Sequence, residues 1–216
     1  MVFTLYFGLN YFVFSKYFLC FKKLIIGDIL KKELFDWFVA ILVAVVFVIV
    51  IKTFLITPYS VSGLSMYPTF DDKDKVIVSK ISKTFNHLDN GDVVVFHQNK
   101  KNDYIKRIIG KPGDSVSYRN DNLFVNGKKV EESYLKLNKS NKSSVLLTEN
   151  FSVNDLKGSD NKKKIPKNKY LVLGDNRENS IDSRSSIVGL VDKDQIVGKV
   201  IMRFWPFKDI RFNFNY

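Results

Sequence analysis

Three short stretches hold side chains whose type and spacing suit covalent chemistry. Ser62-Gly63-Leu64-Ser65-Met66-Tyr67-Pro68-Thr69 offers a serine on a turn, because Gly63 admits backbone angles closed to other residues and Pro68 pushes Tyr67 towards an extended conformation. A serine hydroxyl is a weak nucleophile until a neighbouring base takes its proton, and it needs N–H groups where the oxyanion develops. The histidines do not supply that base: His87 lies in a polar stretch and His97 at a strand end, neither in a motif that would position it. Residues 104–114, YIKRIIGKPGD, supply a different one. Strand alternation puts Tyr104, Lys106 and Ile108 on one face and Ile105, Arg107 and Ile109 on the other. To act as a base near pH 7–8 a lysine must fall roughly 3 units from ~10.4, on the order of 4 kcal/mol, which only burial supplies. The third stretch, residues 174–184 (GDNRENSIDSR), is dense in charged and amide groups that must satisfy one another if buried. Asp182 and Arg184, two apart, share a face on an extended chain. Taken singly, the three stretches read equally well as a turn, a solvent-facing hairpin lysine and a polar loop.

The elements that must position these groups differ sharply along the chain. From Trp37 to Ile51 the sequence WFVAILVAVVFVIVI has no charge for fifteen residues, and with Lys52 snorkelling it continues to Ile56 as twenty. Twenty residues at about 1.5 Å each span roughly 30 Å, the hydrocarbon thickness of a bilayer. Lys22, Lys23, Lys31 and Lys32 precede this span and only Lys52 follows closely, so the N-terminal flank is expected in the cytoplasm and the rest outside. Residues 1–21 are apolar but interrupted by Asn10 and Lys16, and read as a second span or an interfacial helix. With no basic n-region and no small-x-small exit they do not read as a cleavable signal peptide.

After residue 57 the pattern becomes short β-type runs: 76–78, 92–97, 104–109, 115–118, 123–125, 170–173 and 196–205. Asn126-Gly127 marks a tight hairpin between 123–125 and 128–130. No helical period of two turns appears there. Residues 131–169 are rich in Lys, Asn and Ser and read as a mobile insertion or small β-excursion outside the core. The expected organisation is therefore an apolar and basic segment at 1–35, a transmembrane helix at 36–57 and a mainly β domain at 58–216 carrying the 131–169 insertion.

Composition narrows the classes. The net charge of +12, from 34 Lys+Arg against 22 Asp+Glu, invites a nucleic-acid reading, while 45% hydrophobic content excludes a disordered chain. Cys20 is the single cysteine, which excludes an intrachain disulfide and any multi-cysteine metal site. By position, residues 131–169 hold nine Lys and five acids and so supply +4 of the charge, and the basic surface falls outside the membrane, away from nucleic acid.

In this order, behind a membrane span, the stretches resemble the bacterial type I signal peptidases, membrane-bound Ser/Lys proteases that remove signal peptides. The resemblance covers the span and residues 57–216. Ser65-Met66-Tyr67-Pro68-Thr69 matches the nucleophile box and Gly91-Asp92-Val93-Val94-Val95-Phe96 the strand box that follows. Lys106-Arg107-Ile108-Ile109-Gly110-Lys111-Pro112-Gly113-Asp114 matches the general-base box, and Gly174-Asp175-Asn176 through Ser180-Ile181-Asp182-Ser183-Arg184 the last one. The resemblance implies Ser65 as nucleophile, Lys106 as general base, Ser180 as the residue orienting the lysine, and an Asp182–Arg184 pair beneath the site. Many relatives carry a hydroxyl residue two before the nucleophile to complete the oxyanion hole. Gly63 stands there in this chain, after Ser62, so the Ser65 N–H is the expected oxyanion donor, with Gly63 and Ser62 the other candidates. Two more residues than in common members separate Arg184 from Gly189, which bears on the loop geometry there.

The resemblance also implies a mainly β signal-peptidase-like fold with one or two membrane helices, no cofactor and no metal. It implies signal-peptide-bearing preproteins and the lipid bilayer as partners, no nucleic acid, and cleavage after small residues at the first and third positions before the cut. Ser65 is only eight positions past Thr57, at most about 29 Å of extended chain, which suits a substrate tethered in the same membrane. Two other readings remain at this point. One is a catalytically inactive, membrane-anchored relative that binds polypeptides, which has no need of intact Ser65 and Lys106. The other is a self-cleaving repressor-type Ser/Lys protease, whose DNA-binding N-terminus is here replaced by a membrane span.

Overall fold

Runs of β-branched and aromatic residues, punctuated by Gly, Asn and Pro, become antiparallel strands in the computed structural model, which describes residues 31–51, 55–84 and 87–214. The chain forms two units, Met1–Ile51 and Lys52–Tyr216. In the first, α1 (Lys31–Val50) is long and apolar enough to cross a membrane. All of its residues are exposed, among them Trp37 at 70% and Phe38 and Phe47 at 63% each. A helix apolar on all sides and uncovered by protein fits a membrane anchor. The expectation for residues 1–21, and for Lys22 and Lys23, lies outside the described residues.

The end of the expected span needs correction. Ile56 does not continue a helix. It opens β1 (Ile56–Ser60) and faces Ser79 of β2 (Lys75–Ser79). Pro58 disfavours helical angles at Thr57, and the strand partner supplies backbone hydrogen bonds instead.

The second unit is built on an eight-stranded sheet, with short α2 (Ile81–Thr84) after β2. Its strands run in the order β1, β2, β11 (Ile196–Trp205), β3 (Val93–His97), β4 (Asp103–Gly110), β9 (Lys169–Leu173) and β10 (Val191–Asp192). β12 (Arg211–Phe212) pairs with β11. A four-stranded sheet runs β7 (Lys128–Val130), β6 (Asn122–Val125), β5 (Val116–Arg119), β8 (Phe151–Ser152). The Asn126-Gly127 signal is realised as the β6–β7 hairpin, with φ of 54° and 78° at the two residues, as a mirror-image two-residue turn requires. The seven expected β runs all fall on strands, and the structure adds β1, β8, β10 and β12.

Strand β3 reads as a continuous apolar run because both of its faces are buried. Val93 and Val95 enter a cluster with Met66, Phe70, Val76 and Val200, and Val94 and Phe96 enter another with Ile108, Tyr170 and Val172. A third cluster overturns the expectation for residues 131–169: Val153, Leu156 and Ile165 are buried beside Val116, Tyr118, Leu123 and Leu171. The insertion is part of the core. Its apolar residues are too irregularly spaced to show a period of two or 3.6 residues, and local capping shapes its backbone instead, as where Ser152 and Asp155 cap a single 3-10 turn. Short α3 (Lys136–Ser140) lies in the same insertion.

Candidate active site

Ser65 sits on a turn pinned from several sides. Within the turn, the Tyr67 N–H donates to the Leu64 carbonyl at 3.1 Å and the Phe70 N–H to the Met66 carbonyl at 3.0 Å. Fully buried Met66 and Phe70 root the segment in the core. Gly63 adopts φ of +83°, the left-handed region that favours glycine, and donates its N–H to Asp72 Oδ1 at 2.8 Å. From the far end of the chain the Asn176 N–H donates to the Ser65 carbonyl at 3.0 Å and Asn176 Nδ2 to the Leu64 carbonyl at 3.1 Å.

Lys106 approaches from the centre of β4, opposite Val94, and is only 3% exposed. Its Nζ donates to Ser65 Oγ at 2.7 Å and to the Ile105 carbonyl at 3.0 Å, and lies 5.4 Å from the centre of the Tyr104 ring. Burial lowers its pKa to about 8, against the opposing pull of the Asp182 and Asp175 carboxylates. The lysine is therefore neutral in about a tenth of molecules at pH 7 and about half at pH 8. Strand β9 pairs with β4 only from Arg107 onward, so residues 103–106 have a strand partner on the β3 side alone among the described strands. A cleft of about 390 Å³ opens there, lined by Ser62, Gly63, Leu64, Ser65, Tyr104 and Lys106 among others.

Asp182 and Arg184 form the pair that the resemblance implies, with Arg184 Nε and Nη2 each donating to the Asp182 carboxylate at 2.9 Å. The Gly174 N–H adds a third donor at 3.0 Å. Burial pushes the Asp182 carboxyl up, but Arg184 and the Gly174 N–H outweigh it and hold the pKa below the usual value. Ser180 makes no hydrogen bond to Lys106. Its Oγ is buried beside Gly174 with no hydrogen-bond partner, and both hydrogen bonds of Lys106 go elsewhere. Among the oxyanion candidates, the Ser65 N–H donates to no acceptor within the described residues, whereas the Gly63 N–H is already engaged by Asp72. Ser62 is exposed on the cleft wall. Among the described residues no group of three or more His, Cys, Asp or Glu is arranged to hold a metal ion.

Sequence reasoning missed the groups that hold this site in place. Arg107 points away from Lys106, but into the protein. It binds both oxygens of Asp175 at 2.9 and 2.6 Å, both side chains fully buried, and donates to the Gly91 and Phe214 carbonyls. Thr69 Oγ1 donates to Asp175 as well, which ties the end of the nucleophile segment to the last polar stretch. Arg177 donates to Glu132 at 2.7 Å and to Tyr118 and Thr148. Exposed Glu178 accepts from the N–H and hydroxyl groups of Ser143 and Ser144. A run of charges directly after an apolar strand was the available signal for a buried network. Its partners, Arg107 and Glu132, are too distant in sequence to be named from it.

The arrangement, a serine hydroxyl hydrogen-bonded to a buried amine beside a free N–H, suits acyl transfer through a serine ester. A family model described as signal peptidase, peptidase S26, matches residues 34–205. Signal peptidase IB of Staphylococcus aureus (strain MRSA252) is 51% identical over 187 residues, 86% of this chain and 97% of its own. Signal peptidase I P of Bacillus subtilis subsp. natto is 44% identical over 184 residues, 84% of this chain and 94% of its own. A solved signal peptidase I structure from Enterococcus faecalis V583 is 34% identical and covers 51% of this chain and 94% of that one, at a TM-score of 0.46.

Proposed function

The chain belongs to the signal peptidase family, peptidase S26, and is a hydrolase of the signal peptidase I type; from that premise we propose that Ser65 and Lys106 are its nucleophile and general base. The observation that carries this reading is the 2.7 Å hydrogen bond from Lys106 Nζ to Ser65 Oγ at a lysine only 3% exposed. Neutral Lys106 takes the Ser65 proton as Oγ bonds to the scissile carbonyl carbon. The Ser65 N–H receives the oxyanion. Protonated Lys106 then gives its proton to the departing amine as the C–N bond breaks, leaving an ester on Ser65. Lys106 deprotonates a water that attacks this ester, and collapse returns the hydroxyl to Ser65. Asp182, fixed by Arg184, faces the lysine and favours its charged form in the intermediate states.

The substrates are signal-peptide-bearing precursors, cut after small residues. An extended peptide fits the cleft beside residues 103–106 of β4, where the strand edge has no partner among the described strands. α1 anchors the enzyme in the membrane, and the lysine bias around it supports a cytoplasmic N-terminal flank with the β unit outside.

The test is cleavage of a secretory precursor by the purified full chain in detergent, with Ser65→Ala and Lys106→Ala alongside. Processing by the unmodified protein and loss in both variants is the expected result. Full activity in either variant refutes the dyad, and precursor binding without cleavage by the unmodified protein identifies an inactive relative.

A further inference from the structure

The insertion at 131–169 reaches the nucleophile turn through one side chain. Asn138, the third residue of α3, donates from Nδ2 to the Tyr67 carbonyl and to the Asp175 carbonyl, each at 2.8 Å. Tyr67 lies two residues past Ser65. Asp175 follows Gly174, which is packed so closely on the turn that a Cβ there would come within 2.5 Å of the Ser65 carbonyl oxygen. Two amide side chains thus bracket the turn, Asn176 at Leu64 and Asn138 at Tyr67. A carboxamide carries two N–H donors, and Asn138 uses its NH₂ group on both carbonyls. A carboxylate of the same shape has none to offer.

Asn138 is itself firmly held. Helix α3 has five residues and no side-chain cap, so it owes its position to tertiary contacts. Before it, buried Glu132 binds buried Arg177 at 2.7 Å and Leu135 is fully buried. After it, Ser143 and Ser144 bind Glu178. The insertion therefore meets residues 175–178 on both sides of Asn138, the same segment whose Asn176 holds the Ser65 carbonyl.

We propose that Asn138 is a positioning residue for peptide-bond cleavage, fixing the Tyr67 end of the nucleophile turn against residues 174–176 so that Ser65 Oγ stays within reach of Lys106. The inference rests on the Ser65/Lys106 reading above. Loss of the contact lets the turn drift, and a misplacement of about 1 Å costs up to ~100-fold in rate.

The experiment uses the full chain in detergent with a precursor substrate, comparing Asn138→Ala, the near-isosteric Asn138→Asp, Leu137→Ala on the same helix, and Ser65→Ala. Both Asn138 variants should lose about tenfold or more in kcat with KM within about twofold, because the contact orients the nucleophile and does not touch substrate. Their melting temperatures should fall only by the few degrees that two lost hydrogen bonds cost, far less than the loss in kcat implies, and the acid limb of the pH profile should not move. Leu137→Ala should behave as the unmodified protein. The proposal is overturned if Asn138→Ala keeps its kcat, if the loss falls on KM, if Leu137→Ala loses as much, or if melting temperature falls in step with kcat in both variants. With Ser65→Ala inactive, any of these results counts against Asn138 alone. A fully active Ser65→Ala overturns the dyad and this inference together.

Discussion

Arg107 and Asp175, 68 positions apart, meet as a fully buried bidentate ion pair directly behind the residues that hold Ser65 and Lys106. Arg107 follows Lys106 on β4, and Asp175 precedes Asn176, which binds the Ser65 carbonyl. The pair therefore joins the strand bearing the amine to the loop that holds the serine turn through Asn176. Removing one partner strands a buried charge, so Asp175→Ala should cost about 3–5 kcal/mol in denaturant unfolding. The double variant Arg107→Met, Asp175→Leu should recover part of that loss. Recovery of none would mean that the Arg107 bonds to the Gly91 and Phe214 carbonyls carry the stability instead.

Activity should follow the neutral form of Lys106. With burial lowering its pKa to about 8, kcat/KM should rise tenfold per pH unit on the acid side and level off above about pH 8. A profile measured on a precursor peptide that is flat across this range would remove Lys106 as the base.

The same burial makes Lys106 a cost to folding. Folded Lys106 binds fewer protons than the unfolded chain between about 8 and 10.5, so its contribution to stability improves with pH across that window. Below it, the protein bears the cost of a charged buried amine. Lys106→Met should be inactive yet more stable at pH 7 by up to about 3 kcal/mol, with the advantage shrinking towards pH 10. Thermal unfolding at the two pH values measures the difference.

Gly174 is a site where one methyl group is decisive. A Cβ there would collide with Ser180 Oγ and lie 2.5 Å from the Ser65 carbonyl oxygen. Gly174→Ala should displace the serine turn and lower kcat by about a hundredfold. Retention of more than half the activity would show that the turn can shift without losing Lys106.

Glu178 is fully exposed but holds the insertion through Ser144 and Ser143, whose hydrogen bonds lower its pKa from 4.5 to about 2. A carboxylate with a lowered pKa stabilises the fold above its unfolded value and loses that contribution as pH falls through the folded one, here between about 4.5 and 2. The clamp is thus intact at neutral pH. Glu178→Ala should hasten protease nicking around residues 141–146 at pH 7, read by limited proteolysis against the unmodified chain, and equal nicking would show the clamp to be idle.

Local sequence was enough for much of this protein. Apolar runs and turn residues predict their own strands because backbone preference and side-chain alternation are local properties, as in β3, β4 and the Asn126-Gly127 hairpin. The uncharged run at 37–51 identifies α1 for the same reason. Spacing alone put Asp182 and Arg184 on one face, while their pairing and the candidate Ser65 and Lys106 were readable because each lies in a recognisable box. Tertiary structure decided what depends on distant partners. Whether Lys106 is buried is set by the surrounding strands and loops, and burial is what brings its pKa to about 8. Arg107 looked like an ordinary charge facing away from the site until Asp175 closed on it. The polar stretch 131–169 looked like a solvated excursion because its buried residues follow no period. Its place in the core and its grip on the serine turn through Asn138 come from contacts across long stretches of chain, and no local pattern encodes those.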